Sequence, residues 1–354
     1  MLEMILCIMQ QKQILCCDVG GTNTSIALVR VEGDNYHIGD IQRFNTQSLE
    51  NLEQALDIVI GNLDSAGLSL ACSGAGHIIN HVSHLSNVSW KIDAQKIANH
   101  YKIPTLLIND FSALAYSLPI IKNNEQTVSQ LQTGEYASDN TPLYVVIGSG
   151  TGLGTGALMH TKDSYVAIPS EGGHADVIPM DEQTEALFSY WRKKLGSPPG
   201  AEFFVSGPGI HNISEYFIDS ESWDSQTMLE TIRNTDKNDR SKLITTHMDS
   251  DPQCKNIWDI FLKLLARFTA TTCMFFGLHV HAFLAGGIIA KHAQTIKSSS
   301  VFQDAFCENY TELFRTFLKK IPISIITDYN VSLIGVAHAY MHMGASVLPD
   351  IPKK

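Results

Sequence analysis

The chain has 354 residues, with 25 Lys+Arg against 36 Asp+Glu for a formal net charge of −11, and 44% hydrophobic against 17% charged residues. At roughly 150 residues per domain this length suggests about two domains with ample core, so neither a metal nor a disulfide staple is needed for stability. The acidic balance argues against a reader of nucleic acid, no apolar run reaches the roughly 18–20 residues of a membrane span, and nothing in the composition signals disorder.

Residues 1–11 read as an extra leader. Met1 to Met9 is apolar but carries Glu3 and lacks a basic start, and no small-residue cleavage site follows, so a signal peptide is not expected. Residues 13–19 form a strand pattern ending in Gly20-Gly21-Thr22, and a second strand covers 25–31. Leu49, Leu52, Leu56, Val59, Ile60 and Leu63 recur at helical spacing, with Ser48 as cap and Gly67 as stop. A strand over 68–72 follows, then a helix over 93–101 capped by Asp93, then an apolar strand over 105–108 ending at Asn109-Asp110. The polar stretch 123–141 reads as a loop-rich insertion. The pattern then restarts, with a strand over 143–147, a glycine-rich turn from Gly148 to Gly154, and another strand over 155–159. Residues 220–251 are the most polar long segment and read as surface. Ile257, Phe261, Leu264, Leu265 and Phe268 mark an amphipathic helix, 280–285 a strand ending at Gly286-Gly287, 323–326 a further strand and 332–342 a C-terminal helix. Strands alternating with helices make the class α/β. The seven cysteines, an odd count without a CxxC pair, read as buried reduced thiols and suit a cytoplasmic protein.

Two glycine turns between strands are the most informative feature. Asp18-Val19-Gly20-Gly21-Thr22-Asn23 forms one, and Gly148-Ser149-Gly150-Thr151-Gly152-Leu153-Gly154 the other. Glycine allows tight turns whose successive N–H groups make an anion-binding concavity. Two of them suit a polyphosphate gripped from both sides; the plainer alternative is an ordinary hairpin at each. A P-loop is excluded because no Gly-Lys pair occurs, and Gly152-x-Gly154-x-x-Ala157 opens a strand where a dinucleotide fingerprint opens a helix.

Asp110, just past an apolar strand, has the chemistry to accept a proton from an attacking hydroxyl in phosphoryl transfer. The competing reading is a helix cap. In Ser170-Glu171-Gly172-Gly173-His174, two hydrogen-bonding side chains flank a glycine pair, an arrangement suited to sugar hydroxyls. His77/His81/His84, His279/His281 and His338/His342 have metal-like spacings, but no Cys or carboxylate completes any set, so packed or solvated histidines are expected and no metal ligand is assigned.

In order along the chain stand Asp18–Asn23, Ile108–Ala113, Gly148–Gly154, Glu171–Asp176, Ser206–Gly209 and Ala285–Ile288. Together they resemble the bacterial glucokinase family, the zinc-free branch of the actin-like ATPase and sugar kinase superfamily, over nearly the whole chain. The resemblance implies a two-domain actin-like (ribonuclease H-like) α/β fold with an interdomain cleft, residues 1–109 plus about 328–354 forming the smaller domain and 110–327 the larger. It implies ATP- and Mg2+-dependent phosphorylation of glucose, the entry step of glycolysis, with a hexose kinase of other sugar preference or a non-catalytic sugar sensor as alternatives. Asp110 then matches the general base, and Asn87, Asn109, Glu171, His174 and Glu202 match sugar-binding positions. Asp18, Gly20, Gly21, Thr22, Asn23, Gly150, Thr151, Gly152, Gly286 and Gly287 match nucleotide-binding ones. Without the family, Glu202 reads equally as a helix-end surface charge and Asn87 as a turn residue. The resemblance further implies a homodimer; charge and hydropathy give the expectation of no nucleic-acid or membrane partner. Two departures stand out. The family often has Arg where this chain has Ser25, so a cation near the phosphates is expected to be missing, and Ala71-Cys72-Ser73-Gly74 replaces the family's Ala-x-Pro.

Overall fold

A computed structural model describes residues 12–61, 63, 67–85, 88–135, 143–162, 164–277 and 279–350; the leader and Asn87 lie outside these. The chain runs β1 (Lys12–Val19), β2 (Asn23–Glu32), β3 (Asn35–Ile38), β4 (Gln42–Asn45), α1 (Leu52–Ile60), β5 (Ser69–Gly74), β6 (Ile78–Ile79), β7 (Val82–His84), β8 (Lys91–Asp93), α2 (Ala94–Tyr101), β9 (Thr105–Asn109) and α3 (Asp110–Ile121). It continues through β10 (Val128–Gln132), β11 (Leu143–Ser149), β12 (Leu153–His160), β13 (Tyr165–Ser170), α4 (Glu182–Leu195), α5 (Gly207–Asp219), α6 (Gln226–Asn234), α7 (Lys237–His247) and α8 (Pro252–Phe275). The last elements are β14 (Val280–Ala285), α9 (Gly287–Lys291), α10 (Ala293–Ser298), α11 (Val301–Cys307), α12 (Glu312–Leu318), β15 (Ile323–Ile326) and α13 (Val331–Met343).

Backbone contacts divide the chain into two compact units, one of Met1–Thr127, Ala157–Pro169 and Asp328–Lys354, the other of Val128–Gly156 and Ser170–Thr327. The first unit holds a sheet of order β3-β2-β1-β5-β9, with β4 beside the turn end of β2. β1 and β2 pair antiparallel, whereas β1, β5 and β9 run parallel. Leu15, Cys17, Leu70 and Cys72 bury one sheet face in a core with Leu52, Leu56 and Ile97. α3 and α13 approach closely at Gly335, where an added Cβ would stand 1.8 Å from the Ala113 carbonyl oxygen. That packing places α3 in the first unit, so this partition differs from a division after residue 109.

The other six-stranded sheet has the order β10-β15-β14-β11-β12-β13. β11, β14 and β15 are parallel, and β10 pairs antiparallel with β15. The first unit's order β2-β1-β5-β9 therefore recurs as β12-β11-β14-β15. The 24-residue α8 buries Ile257, Trp258, Phe261, Leu264 and Leu265 completely.

All eight strands expected from the sequence are present to within two residues at each end. Three local readings change. α1 is capped by Asn51, whose side chain accepts from the Gln54 N–H, and it ends at Gly61; Ser48 belongs to the preceding helical turn. The polar stretch 220–251 folds into α6 and α7, because Leu229, Ile232 and Ile244 are enough to pin two short helices whose other faces stay wet. The insertion contributes β10, a sheet-edge strand with only Val128 buried.

Candidate active site

The first unit carries candidate site residues on its β1–β2 turn. Gly20 donates its N–H to the Asn23 carbonyl at 3.0 Å and Thr46 donates to the Thr22 carbonyl at 2.9 Å, which fixes the turn while Thr22 and Asn23 stay exposed. Asp18 lies directly across from Ser73 of β5. Ser73 Oγ donates to one Asp18 oxygen and Ser332 Oγ, from the first turn of α13, to the other, each at 2.6 Å. No local pattern in the sequence marks either serine; both are found only through strand register and helix packing.

Asn109 and Asp110 stand at the parallel end of the same sheet. Asn109 is the cap of α3, its Oδ1 accepting from the N–H groups of Phe111 at 2.9 Å and Ser112 at 3.2 Å. Its Nδ2 donates to the Gly76 carbonyl at 3.2 Å, and the same side chain hydrogen-bonds to the Asp110 carboxyl. Asp110 is thus the first helical residue rather than the cap. Burial pushes its carboxyl up to about 6, and the Asp18 charge adds to the effect, while the Phe111 N–H at 2.9 Å acts the other way. A carboxylate titrating so near neutrality is suited to take a proton.

The second unit brings together the remaining residues. Gly150 donates to the Gly152 carbonyl at 2.9 Å, and Gly207, at the start of α5, donates to the Gly150 carbonyl at 2.7 Å. Gly286 holds φ at +111°, and a Cβ there would stand 1.7 Å from the Ser149 carbonyl oxygen, so only glycine fits. Gly150 and Gly287 face open space. Glu202 Oε2 accepts from the Leu153 N–H at 2.8 Å, and its other oxygen lies 4.0 Å from His174 Nδ1. Glu202 is therefore tied to the glycine turn instead of standing as a free surface charge. Glu171 and His174 close one helical turn, the His174 N–H donating to the Glu171 carbonyl at 3.0 Å, and both side chains are exposed.

Asp18, Gly20, Gly21, Thr22, Asn23, Asn109 and Asp110 thus cluster on the first unit, and Gly150, Thr151, Gly152, Glu171, His174, Glu202, Gly286 and Gly287 on the second. Asn87 lies outside the described residues. Among the described residues no group of three or more His, Cys, Asp or Glu is arranged to hold a metal ion, and no helix is long and apolar enough to cross a membrane. His338 Nδ1 contacts the Tyr116 carbonyl at 2.6 Å and its Nε2 faces His342 Nε2 at 2.9 Å; burial drives His338 down to about 4, so the pair packs as neutral rings.

A sequence model of the Glucokinase family matches residues 15–343. The glucokinase of Tolumonas auensis is 28% identical over 327 residues, 92% of this chain and 95% of that protein. Among solved structures, a glucokinase from an Antarctic psychrotroph superposes with a TM-score of 0.77 at 23% identity, covering 93% of this chain and 98% of that one. A Balamuthia mandrillaris glucokinase in complex with glucose gives 0.72 at 21% identity, covering 93% and 94%. With a family match that takes in both glycine turns, Asp110 and the Glu171–Glu202 region, the chain belongs to the glucokinase family.

Proposed function

We propose that this protein phosphorylates the 6-hydroxyl of glucose with ATP, and that Asp110 is its general base. Membership of the glucokinase family supplies the overall reaction, ATP-dependent phosphorylation of glucose. The observation that supports the assignment of the base is the state of Asp110: partly buried, relieved of capping by Asn109, and pushed up to about 6. As the 6-oxygen attacks the γ-phosphate, Asp110 takes the hydroxyl proton; such transfer typically contributes about 10²–10⁴-fold. Asn87, Asn109, Glu171, His174 and Glu202 orient the sugar hydroxyls in this proposal. The N–H groups of the two turns, around Gly20–Asn23 and Gly150–Gly152, receive the phosphates.

Mg2+ accompanies the nucleotide in this proposal. Asp18 fits its preference for hard oxygen donors: the carboxylate is held by two hydroxyls and has no cationic partner among the described residues. When bound, the ion neutralises phosphate charge. A cytoplasmic homodimer belongs to the same proposal, and the free thiols of buried Cys16, Cys17, Cys72, Cys254 and Cys273 suit that compartment.

The test is a coupled assay across hexoses and phosphoryl donors. Glucose-dependent ADP release, with little ATP hydrolysis when sugar is omitted, is the expected outcome. Equal hydrolysis with and without sugar would mean that no hexose is the acceptor.

A further inference from the structure

We propose that Arg43 supplies the phosphate-binding cation of the first glycine turn, an inference that rests on the proposed use of a nucleoside triphosphate. Strand register is the ground for it. Asp18 pairs with Ser25 across β1 and β2, and Ser25 pairs with Arg43 across β2 and β4. Residues paired across neighbouring strands project from the same face, so Asp18, Ser25 and Arg43 form one row, Arg43 lying about 9–10 Å from Asp18 at normal strand spacing. Both ends of the row meet the start of α13: Ser332 donates to Asp18, and Arg43 Nη2 donates to Asn330 Oδ1 at 2.8 Å.

The position has an electrostatic reason. A turn of N–H groups attracts phosphate, but the Asp18 charge beside it repels the same anion. Of the Lys and Arg side chains on this sheet's strands, Lys12 and Arg30 lie at the end away from the turn, and Arg43 alone lies at the turn end. Asn330 uses its backbone N–H and its Nδ2 on Asp328 Oδ1, at 3.0 and 2.7 Å, which turns its amide oxygen toward the guanidinium. Among the described residues no carboxylate pairs with Arg43. Most of its donors therefore face solvent, in the planar fork that matches phosphate oxygens. The charge absent from Ser25 is delivered from the neighbouring strand.

The experiment compares wild type, Arg43→Ala and the double variant Arg43→Ala/Ser25→Arg by calorimetric titration with Mg·AMPPNP, inorganic tripolyphosphate and glucose. Arg43 is exposed, and melting temperatures confirm that each variant folds. Arg43→Ala is expected to weaken both AMPPNP and tripolyphosphate by roughly 10-fold or more, the scale of one lost charge-assisted contact, and to leave glucose within about twofold. Ser25→Arg, which moves the cation one place along the row, is expected to restore most of the loss. The inference is overturned if Arg43→Ala binds both anions within about twofold of wild type, if AMPPNP weakens but tripolyphosphate does not, or if glucose weakens in step. Wild-type protein that binds tripolyphosphate but phosphorylates no hexose would defeat the proposed function and leave the Arg43 comparison standing.

Discussion

The two glycine hairpins share one strand plan but differ in the groups that flank them. In the first unit the residue two places before the leading turn glycine is Asp18, paired with Ser73. In the second it is Gly148, paired with Ala285. The first turn is thus set beside ionisable groups, Asp18, Asp110 and Arg43. The second is closed by backbone approach, Gly286 lying on Ser149 and Gly207 donating to Gly150. One strand order serves two roles because the turn depends on backbone geometry, whereas charge depends on which side chains flank it.

The largest effect that would break this division is on turnover. Asp110→Asn keeps the shape and the acceptor for the Phe111 N–H but removes the proposed base, and is expected to lower kcat by roughly 10²-fold or more with glucose affinity little changed. Steady-state kinetics beside glucose titration read this out, and near-normal kcat would remove Asp110 from the role.

The second unit is tested through its glycines. Gly286→Ala must accommodate a backbone collision at φ +111°, and is expected to cost roughly 2–4 kcal/mol in chemical denaturation. Gly150→Ala meets open space and is expected to stay within about 0.5 kcal/mol of wild type, raising only the nucleotide KM. Equal stability losses in the two variants would contradict closure by backbone approach.

Two smaller effects sharpen the electrostatics of the first unit. Asp110 sits at about 6 in the folded chain against an unfolded carboxylate near 3.9, so the folded state holds the proton more tightly. Its ionisation therefore opposes folding above about pH 6, and that cost disappears as pH falls below about 4. Asp110→Asn is expected to gain up to about 3 kcal/mol of stability at pH 7.5, a gain that fades by about pH 4; urea titrations at both pH values measure it. Smaller still, Asp18→Asn removes the second cause of the raised value; because Asp18 is also the proposed Mg2+ ligand, the readout is NMR titration of the Asp110 carboxyl in nucleotide-free protein, which is expected to move down from about 6 toward the ordinary carboxylate range. Burial remains, so the shift is partial, and an unmoved titration would deny that Asp18 acts on Asp110.

Much of this was legible in the residues alone. Short apolar runs such as Ile14–Cys17 and Val145–Ile147, each ending in a glycine-rich stretch, read as buried strands by their length and flanks, and a glycine cluster between two strands reads as a tight turn. Asp110 was visible as a carboxylate at a strand end, but its cap reading failed because Asn109, one residue earlier, holds the extended backbone a cap needs. The helices α6 and α7 escaped notice because each buries few apolar residues, too few to register as a period.

By itself the sequence determined eight of the fifteen strands among the described residues, the two glycine turns, the family and the place of Asp110 at a strand end, because each depends on a local pattern of side-chain size and backbone freedom. Only the tertiary structure decided that Ser73 and Ser332 hold Asp18, that Glu202 is bonded to the second turn, and that Arg43 lies in the row where Ser25 lacks a charge. Those pairings join residues far apart in the chain, and register between strands, which brings them together, is fixed by burial across a whole sheet rather than by any short stretch of residues.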